Sequence, residues 1–234
     1  GIDEAGRGPL LGPMVMAAVC VTRAQAGVLT RAGVTDSKAF GAGPAAHAAR
    51  AALAAKVGST ATCVRVTILD VQTVDARVLR GELNLLERET AERLIAESPA
   101  ATRIVADGAR LFGALAACYP GLEAVDRAES VHVAVAAASI VAKVRRDELF
   151  SCIAARYRLD FGPLAGGGYA NLATRAFVQA YLARHGGLPP EARRSFRWSQ
   201  VLPELPRGFD PWGDLDRDLG PRAAQLSLLR TTRA

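Results

Sequence analysis

Apolar and polar positions alternate along this chain in two regimes, with the change near Val131. In the first regime short apolar runs predict strands. Gly12 to Thr22 (GPMVMAAVCVT) is continuously apolar behind a Gly-Pro boundary and reads as a buried strand. Thr60 to Leu69 alternates with period two and ends at Asp70, and the short run Thr102 to Ala106 leads into Asp107-Gly108. Asp3 and Glu4 lie on a further apolar strand just before a Gly-Arg-Gly-Pro turn. Between these, Gly43 to Val57 is an Ala-rich helix. Glu82 to Ala96 is an amphipathic one, with Leu83, Leu86, Leu94 and Ile95 on its apolar stripe. Strands alternating with helices predict a layered α/β domain.

In the second regime helices dominate. Val131 to Tyr157 reads as one long helix, Ala-rich first and basic later. Gly162 to Gly168 is a loop or hinge, and Asn171 to His185 an amphipathic helix stopped by Gly186-Gly187 with Pro189-Pro190 beyond. From Leu202 the chain is rich in Pro, Gly and Asp and reads as a peripheral tail, with a short helix at Arg222 to Arg230. The expected organisation is one domain over 1–200, its basic helical portion starting at about 131, and a tail over 201–234.

Composition narrows the class. Half the residues are apolar and 22% charged, which excludes a disordered chain, and no short repeat supports a collagen-like or coiled-coil one. No apolar run reaches the roughly 20 residues of a membrane span, so no membrane partner is expected. The sequence opens at Gly1 with no secretory signal, and leaves open what stands before it. Cys20, Cys63, Cys118 and Cys152 are scattered among apolar neighbours with no C-x-x-C spacing, so a reducing, cytoplasmic setting is expected. The net charge of +6 is concentrated: residues 141–200 hold ten Lys or Arg against four acids, while the flanking stretches balance. A polyanion-binding surface and a solvated helical face explain that excess equally well.

The candidate chemistry is carboxylate chemistry. Adjacent acids Asp3 and Glu4 in a core-forming segment are costly unless a cation meets them. Strand side chains alternate, so both can serve one site only where the strand ends or bulges. Asp107 closes an apolar strand, the usual place for a site in an α/β sheet. Hard oxygen donors without a His or Cys cluster favour magnesium or manganese over zinc. Beside a basic stretch, that combination points to phosphoryl transfer on nucleic acid. The plainer readings are a solvated acidic turn at Asp3-Glu4 and an ordinary Asp-Gly turn at 107–108.

The first thirteen residues, GIDEAGRGPLLGP, resemble the signature of type 2 ribonuclease H, specifically ribonuclease HII. The resemblance continues in order through Asp36-Ser37-Lys38, GELNLLERE around Asn84, Ala106-Asp107-Gly108, AAASIVAKVRRDE (136–148) and GGGYANLATRAFVQAYLARHGGLPP (166–190), covering about residues 1–200. Arg7, where the sister type ribonuclease HIII typically has Thr, favours the HII type.

The resemblance implies a ribonuclease H-like fold, a mixed sheet flanked by helices with a helical C-terminal portion. It implies four carboxylates around two divalent ions, Mg2+ or Mn2+. Asp3, Glu4 and Asp107 match three of them. The fourth is normally an Asp ten residues before the Ser of A-A-S-I; counting back from Ser139 reaches Glu129, whereas Asp126 needs a three-residue shift. Glu129 is therefore the expected ligand, and its extra methylene puts rate and metal preference in question.

The implied activity is endonucleolytic cleavage of RNA in RNA–DNA hybrids and 5′ of ribonucleotides embedded in DNA, leaving 5′-phosphate and 3′-hydroxyl ends, as in ribonucleotide and RNA-primer removal. Its substrate contacts map to Gly6, Arg7 and Gly8 for the 2′-hydroxyl, to Tyr169 for the junction sugar, and to Lys38, Lys143 and Arg146 for phosphates. The alternative is a hybrid-binding protein weakened by Glu129. A phosphatase or ATPase finds no glycine-rich phosphate loop, and the paired acids speak against a protein-interaction domain. Asp214, Asp216 and Asp218 read as a solvated turn. A monomer is expected. Gln225 to Leu228 has the opening spacing of a sliding-clamp-binding peptide, but Thr231 and Thr232 replace its aromatic anchors, so no clamp contact is expected there.

Overall fold

The computed structural model describes residues 1–196, 198, 202, 205 and 209–212. The expected tail helix, the acids at 214, 216 and 218 and the clamp-like segment lie outside the described residues.

Five strands form one mixed sheet: β1 (Ile2–Ala5), β2 (Met14–Cys20), β3 (Cys63–Leu69), β4 (Ile104–Asp107) and β5 (Leu122–Val125), in the order β3-β2-β1-β4-β5. β3, β2 and β1 pair antiparallel, and β1, β4 and β5 parallel. The α/β reading and the mixed sheet are as the sequence implied. β2 is buried along nearly its whole length, as a continuous apolar run with both faces covered should be. β3 lies at the sheet edge, where Val66 and Ile68 are exposed despite the alternating pattern.

The helices are α1 (Arg23–Arg31), α2 (Pro44–Thr60), α3 (Val71–Leu79), α4 (Leu83–Ala96), α5 (Ala109–Phe112), α6 (Val133–Phe161) and α7 (Leu172–His185). Local chemistry sets their ends. Asn171 caps α7 by accepting from the Thr174 N–H at 2.9 Å, and Gly186 closes it in the left-handed conformation (φ 74°). Among the described residues no helix is long and apolar enough to cross a membrane.

Contacts divide the chain into two compact units. The first comprises Gly1–Arg7, Met14–Leu69 and Asn84–Asp147; the second comprises Gly8–Pro13, Asp70–Leu83 and Glu148–Ala234. The division thus falls inside α6 rather than at its start, and two early segments join the C-terminal portion. In the first unit the Ala-rich start of α6 is buried from Val135 to Ile140. In the second, Leu10, Leu11, Phe150, Tyr157, Phe177 and Trp198 share one apolar cluster.

The second unit also fixes the Gly-rich loop. Gly168 has φ +75°, and a Cβ there would lie 2.7 Å from the Leu11 carbonyl oxygen, a contact no side chain tolerates. That close approach lets the Leu10 and Leu11 N–H groups donate to the Gly168 carbonyl at 2.8 and 3.2 Å. The stretch expected to be a hinge is therefore pinned at its end, with a 3-10 turn over Gly166–Gly168.

Among the nine described basic residues of the 141–200 stretch three are interior: Arg146, Arg193 and Arg194 are 2%, 0% and 7% exposed. Arg193 Nε donates to the Gly12 carbonyl at 3.0 Å, and Arg194 donates to the Leu188 and Pro211 carbonyls. The backbone N–H groups of Arg194 and Ser195 bind buried Asp75 at 2.8 and 3.1 Å. Arg193 and Arg194 tie the second unit together, and with Arg146 also interior the linear charge excess overstates the basic surface.

Candidate functional site

The first unit gathers the acidic residues singled out above. β1 stays in register through Ala5, with Asp3 opposite Ala17 and Glu4 opposite Met16, so there is no bulge and the strand ends one residue past Glu4. Asp3 is buried and bonded by Ser139 of α6, while Glu4 faces the surroundings of Glu87 on α4. The neighbouring strand β4 delivers Asp107 at its last residue. Asp107 Oδ1 accepts from the Ala128 N–H at 2.9 Å, which anchors the 3-10 turn Ala128–Ser130 beside it. Arg127 enters that turn at φ 57°, a left-handed conformation rare for a non-glycine residue, and Glu129 follows at 4% exposure.

Glu129, not Asp126, is the acid brought to Asp107. Asp126 is exposed and its carboxylate accepts from the Ala109 N–H at 2.8 Å at the start of α5. Glu129 instead acts on Asp107 as a like charge and receives the Lys38 ammonium at 3.1 Å. Lys38 arrives on the 3-10 turn Ser37–Phe40, capped by Asp36. Its neighbour Ser37 pairs with Ser139 at 2.9 Å. Either hydroxyl can be the donor of that pair. The Asp-Ser-Lys motif thus braces Asp3 through one residue and Glu129 through the next.

Electrostatics mark the cluster. Burial, then the Glu4 charge, push the Asp3 carboxyl up to about 8. Burial, then Glu87, push Glu4 up to about 7 against the pull of Arg7. Asp107 is raised by burial, with Glu129 a further cause. Burial disfavours the Lys38 ammonium, but its hydrogen bond and attraction to Glu129 outweigh that and raise it overall. Asp3 and Glu4 therefore keep their protons to higher pH than ordinary carboxyls.

Among the described residues no three His, Cys, Asp or Glu side chains stand close enough together to grip an ion as they are. The donor set nevertheless fits hard divalent ions. Glu4 Oε2 and Glu129 Oε2 are buried oxygens with no hydrogen-bond partner, a costly arrangement that a cation would relieve. All four acids offer oxygen only. The remaining mismatch is one of spacing; Lys38 holds Glu129 through Oε1, and Oε2 is the oxygen left for an ion.

A pH prediction follows. An acid raised on folding binds its proton more tightly in the native chain, so metal-free stability should fall as pH rises through the window from 3.8 to about 8 set by Asp3. Saturating Mg2+ binds the ionised form and should cancel that fall. Thermal melts across the window, with EDTA and with Mg2+, check both parts; parallel curves would remove the link between protons and metal.

The other expected residues separate. Arg7 Nη2 donates to Asn84 Oδ1 at 2.5 Å, and Nη1 lies 3.3 Å from Glu87 Oε2, both on α4. Gly6 turns the chain there at φ 85°. In the second unit Tyr169 is 48% exposed, and a Cβ on Gly8 would meet its ring at 3.7 Å. Tyr169 is therefore no buried packing anchor. Lys143 Nζ is 2.5 Å from Asp147 one helical turn on, an internal pair. Arg146 corrects the expectation of a phosphate contact: at 2% exposure its guanidinium belongs to the interior.

Sequence reasoning missed Ser37, Ser139 and Glu87. The signal for Glu87 was present: with Leu86, Thr90, Ala91 and Leu94 it falls on the buried stripe of α4, where an acid is out of place.

A protein-family model described as Ribonuclease HII matches residues 1–199. The chain is 36% identical over 211 residues to the ribonuclease HII of Pyrobaculum neutrophilum, covering 88% of this chain and 97% of that protein. Its fold is similar to the ribonuclease H2 crystal structure from Pyrococcus horikoshii, with TM-score 0.73, 25% identity, and 86% and 94% of the two chains covered. It is also similar to a Bst ribonuclease HIII solved in complex with Mn2+, with TM-score 0.64, 26% identity, and 86% and 67% covered. A match spanning the sheet, the four acids and the Tyr169 loop, together with near-complete coverage of its relatives, places the chain in the ribonuclease HII family.

Proposed function

We propose that this chain cleaves the RNA strand of RNA–DNA hybrids and incises on the 5′ side of ribonucleotides embedded in duplex DNA, with Asp3, Glu4, Asp107 and Glu129 holding two divalent ions. The observation that carries the reading is the burial of these acids around the ends of β1 and β4, Asp3 and Glu129 being interior and Glu4 and Glu129 each holding a buried oxygen with no hydrogen-bond partner. When bound, the ions activate a water and stabilise the departing oxygen. The bond broken is between phosphorus and the 3′-oxygen, which leaves as the hydroxyl.

The protein's own groups bind and orient. Ser139 holds the Asp3 carboxylate in place. Lys38, paired with Glu129 yet largely exposed, would offer its charge to the substrate phosphate. The Gly6-Arg7-Gly8 turn lets backbone groups approach the 2′-hydroxyl, the mark that separates RNA from DNA at one site. Tyr169 offers an exposed ring to the sugar next to the ribonucleotide. The reading of a decayed, merely hybrid-binding protein is disfavoured because Glu129 is buried and turned toward Asp107.

The test is a DNA duplex carrying one ribonucleotide, incubated with Mg2+ and then Mn2+, with both product ends mapped. One incision 5′ of the ribonucleotide is expected, and an intact duplex with either ion overturns the reading. Tyr169→Ala should lower the preference for that duplex over a long hybrid by about tenfold, the scale of one lost stacking contact. An unchanged ratio of kcat/KM values removes Tyr169 from recognition.

A further inference from the structure

The buried carboxylate of Glu87 lies outside the four acids and has no part in the mechanism above. It is 0% exposed, and neither of its oxygens has a hydrogen-bond partner. The cation facing it is Arg7, whose Nη1 stands 3.3 Å from Oε2. Removing a carboxylate from water costs several kcal/mol, and an apolar side chain of similar volume commonly stabilises such a position better. The neighbours Leu86, Ala91 and Leu94 on the same stripe show what core packing alone selects here. Asn84 stands one helical turn before Glu87, so the two project from one face of α4. Together they grip both terminal nitrogens of Arg7, which is 41% exposed on its outer side. Arg7 in turn follows Gly6, whose φ of 85° makes that peptide turn sharply.

We propose that Asn84 and Glu87 are positioning residues for ribonucleotide selectivity: by clamping the Arg7 guanidinium onto α4 they fix the Gly6-Arg7 peptide plane that meets the 2′-hydroxyl. The inference rests on the proposed role of the Gly6-Arg7-Gly8 turn. Glu87 acts through Arg7; it is also a like charge to Glu4, an effect that the Mg2+ titration below reads separately. A buried ion pair gives what a leucine cannot, a charged partner that orients the Arg7 guanidinium. Asn84 adds direction, because its carbonyl oxygen accepts from Nη2 while Glu87 holds Nη1.

The experiment measures binding of two otherwise identical duplexes, one with a single ribonucleotide and one all DNA, by fluorescence anisotropy with Ca2+ in place of Mg2+ to prevent turnover. The readout is the ratio of the two Kd values. Glu87→Gln and Asn84→Ala should each reduce that ratio by about tenfold or more, the usual scale for a lost supporting contact. Thermal melting and Mg2+ titration of each variant report folding and metal binding separately, and Glu87→Asp should restore part of the ratio. Arg7→Ala should collapse the ratio as far as Glu87→Gln does, and the double variant no further, since both act on one element. If Arg7→Ala leaves the ratio intact, the role of the turn itself is wrong. If Arg7→Ala collapses it while Glu87→Gln and Asn84→Ala do not, the clamp is wrong and the turn stands. Should Glu87→Gln fail to fold, Asn84→Ala decides alone, because that side chain lies at the start of α4.

Discussion

Asp3→Asn should reduce cleavage by at least about 1,000-fold while leaving hybrid binding within about twofold. The substitution is nearly isosteric and keeps the hydrogen bond with Ser139, so packing against α6 survives. What it removes is one negative charge from a group that must offset divalent cations. Several kcal/mol of transition-state stabilisation rest on those ions, and each 1.4 kcal/mol is a factor of ten in rate. Neutralising a buried acid that repels its neighbours should also raise the stability of the metal-free chain. Gel-based cleavage and anisotropy with the same hybrid measure the two effects. Turnover retained within tenfold contradicts the metal role of Asp3.

Glu129 supplies the second large effect. Glu129→Gln should lower cleavage by about 100-fold, on the scale of one lost charged contact to the reacting group. It should also free Lys38, whose ammonium stands 3.1 Å from the carboxylate. Glu129→Asp should keep or raise activity, since it retains the charge and removes the extra methylene at a position where the family resemblance implies an Asp. A dead Glu129→Asp variant with a normal melting temperature would transfer the role to a rearranged site. Asp126→Asn serves as the control: its carboxylate caps the first amide of α5, and its loss should cost stability, not turnover.

Elements long enough to show their period were legible in the sequence. The α4 and α7 helices lie within one residue of their expected ends and α6 within four, and at α7 stripe, cap and glycine stop all agree. α3 went unread because Asp70 looked like the end of a strand, whereas it is the cap that starts a helix by accepting from the Thr73 N–H. β5 is too short, at Leu122–Val125, and has an exposed Glu123 in its middle. Asp3, Glu4, Asp107 and Glu129 were named from motif order and spacing. Their convergence on one region could come only from the parallel pairing of β1 with β4, a long-range contact with no local signature.

Burial separated residues that sequence treats alike. Arg146 and Lys143 look like one basic patch on α6, yet Arg146 is interior and Lys143 is paired with Asp147. Glu87 and Glu89 look like one exposed charge run, yet Glu87 is sealed against Arg7. Charge counts along a chain are blind to this, because an ion pair is formed in space.

The most direct test of the carboxylate site is a Mn2+ titration followed by electron paramagnetic resonance, with an uncleavable RNA–DNA hybrid present. Two ions bound per wild-type chain, and a loss of bound metal in Asp3→Asn, are the expected results. Equal occupancy in the wild type and the variant, or none in either, would contradict a nuclease driven by these four acids.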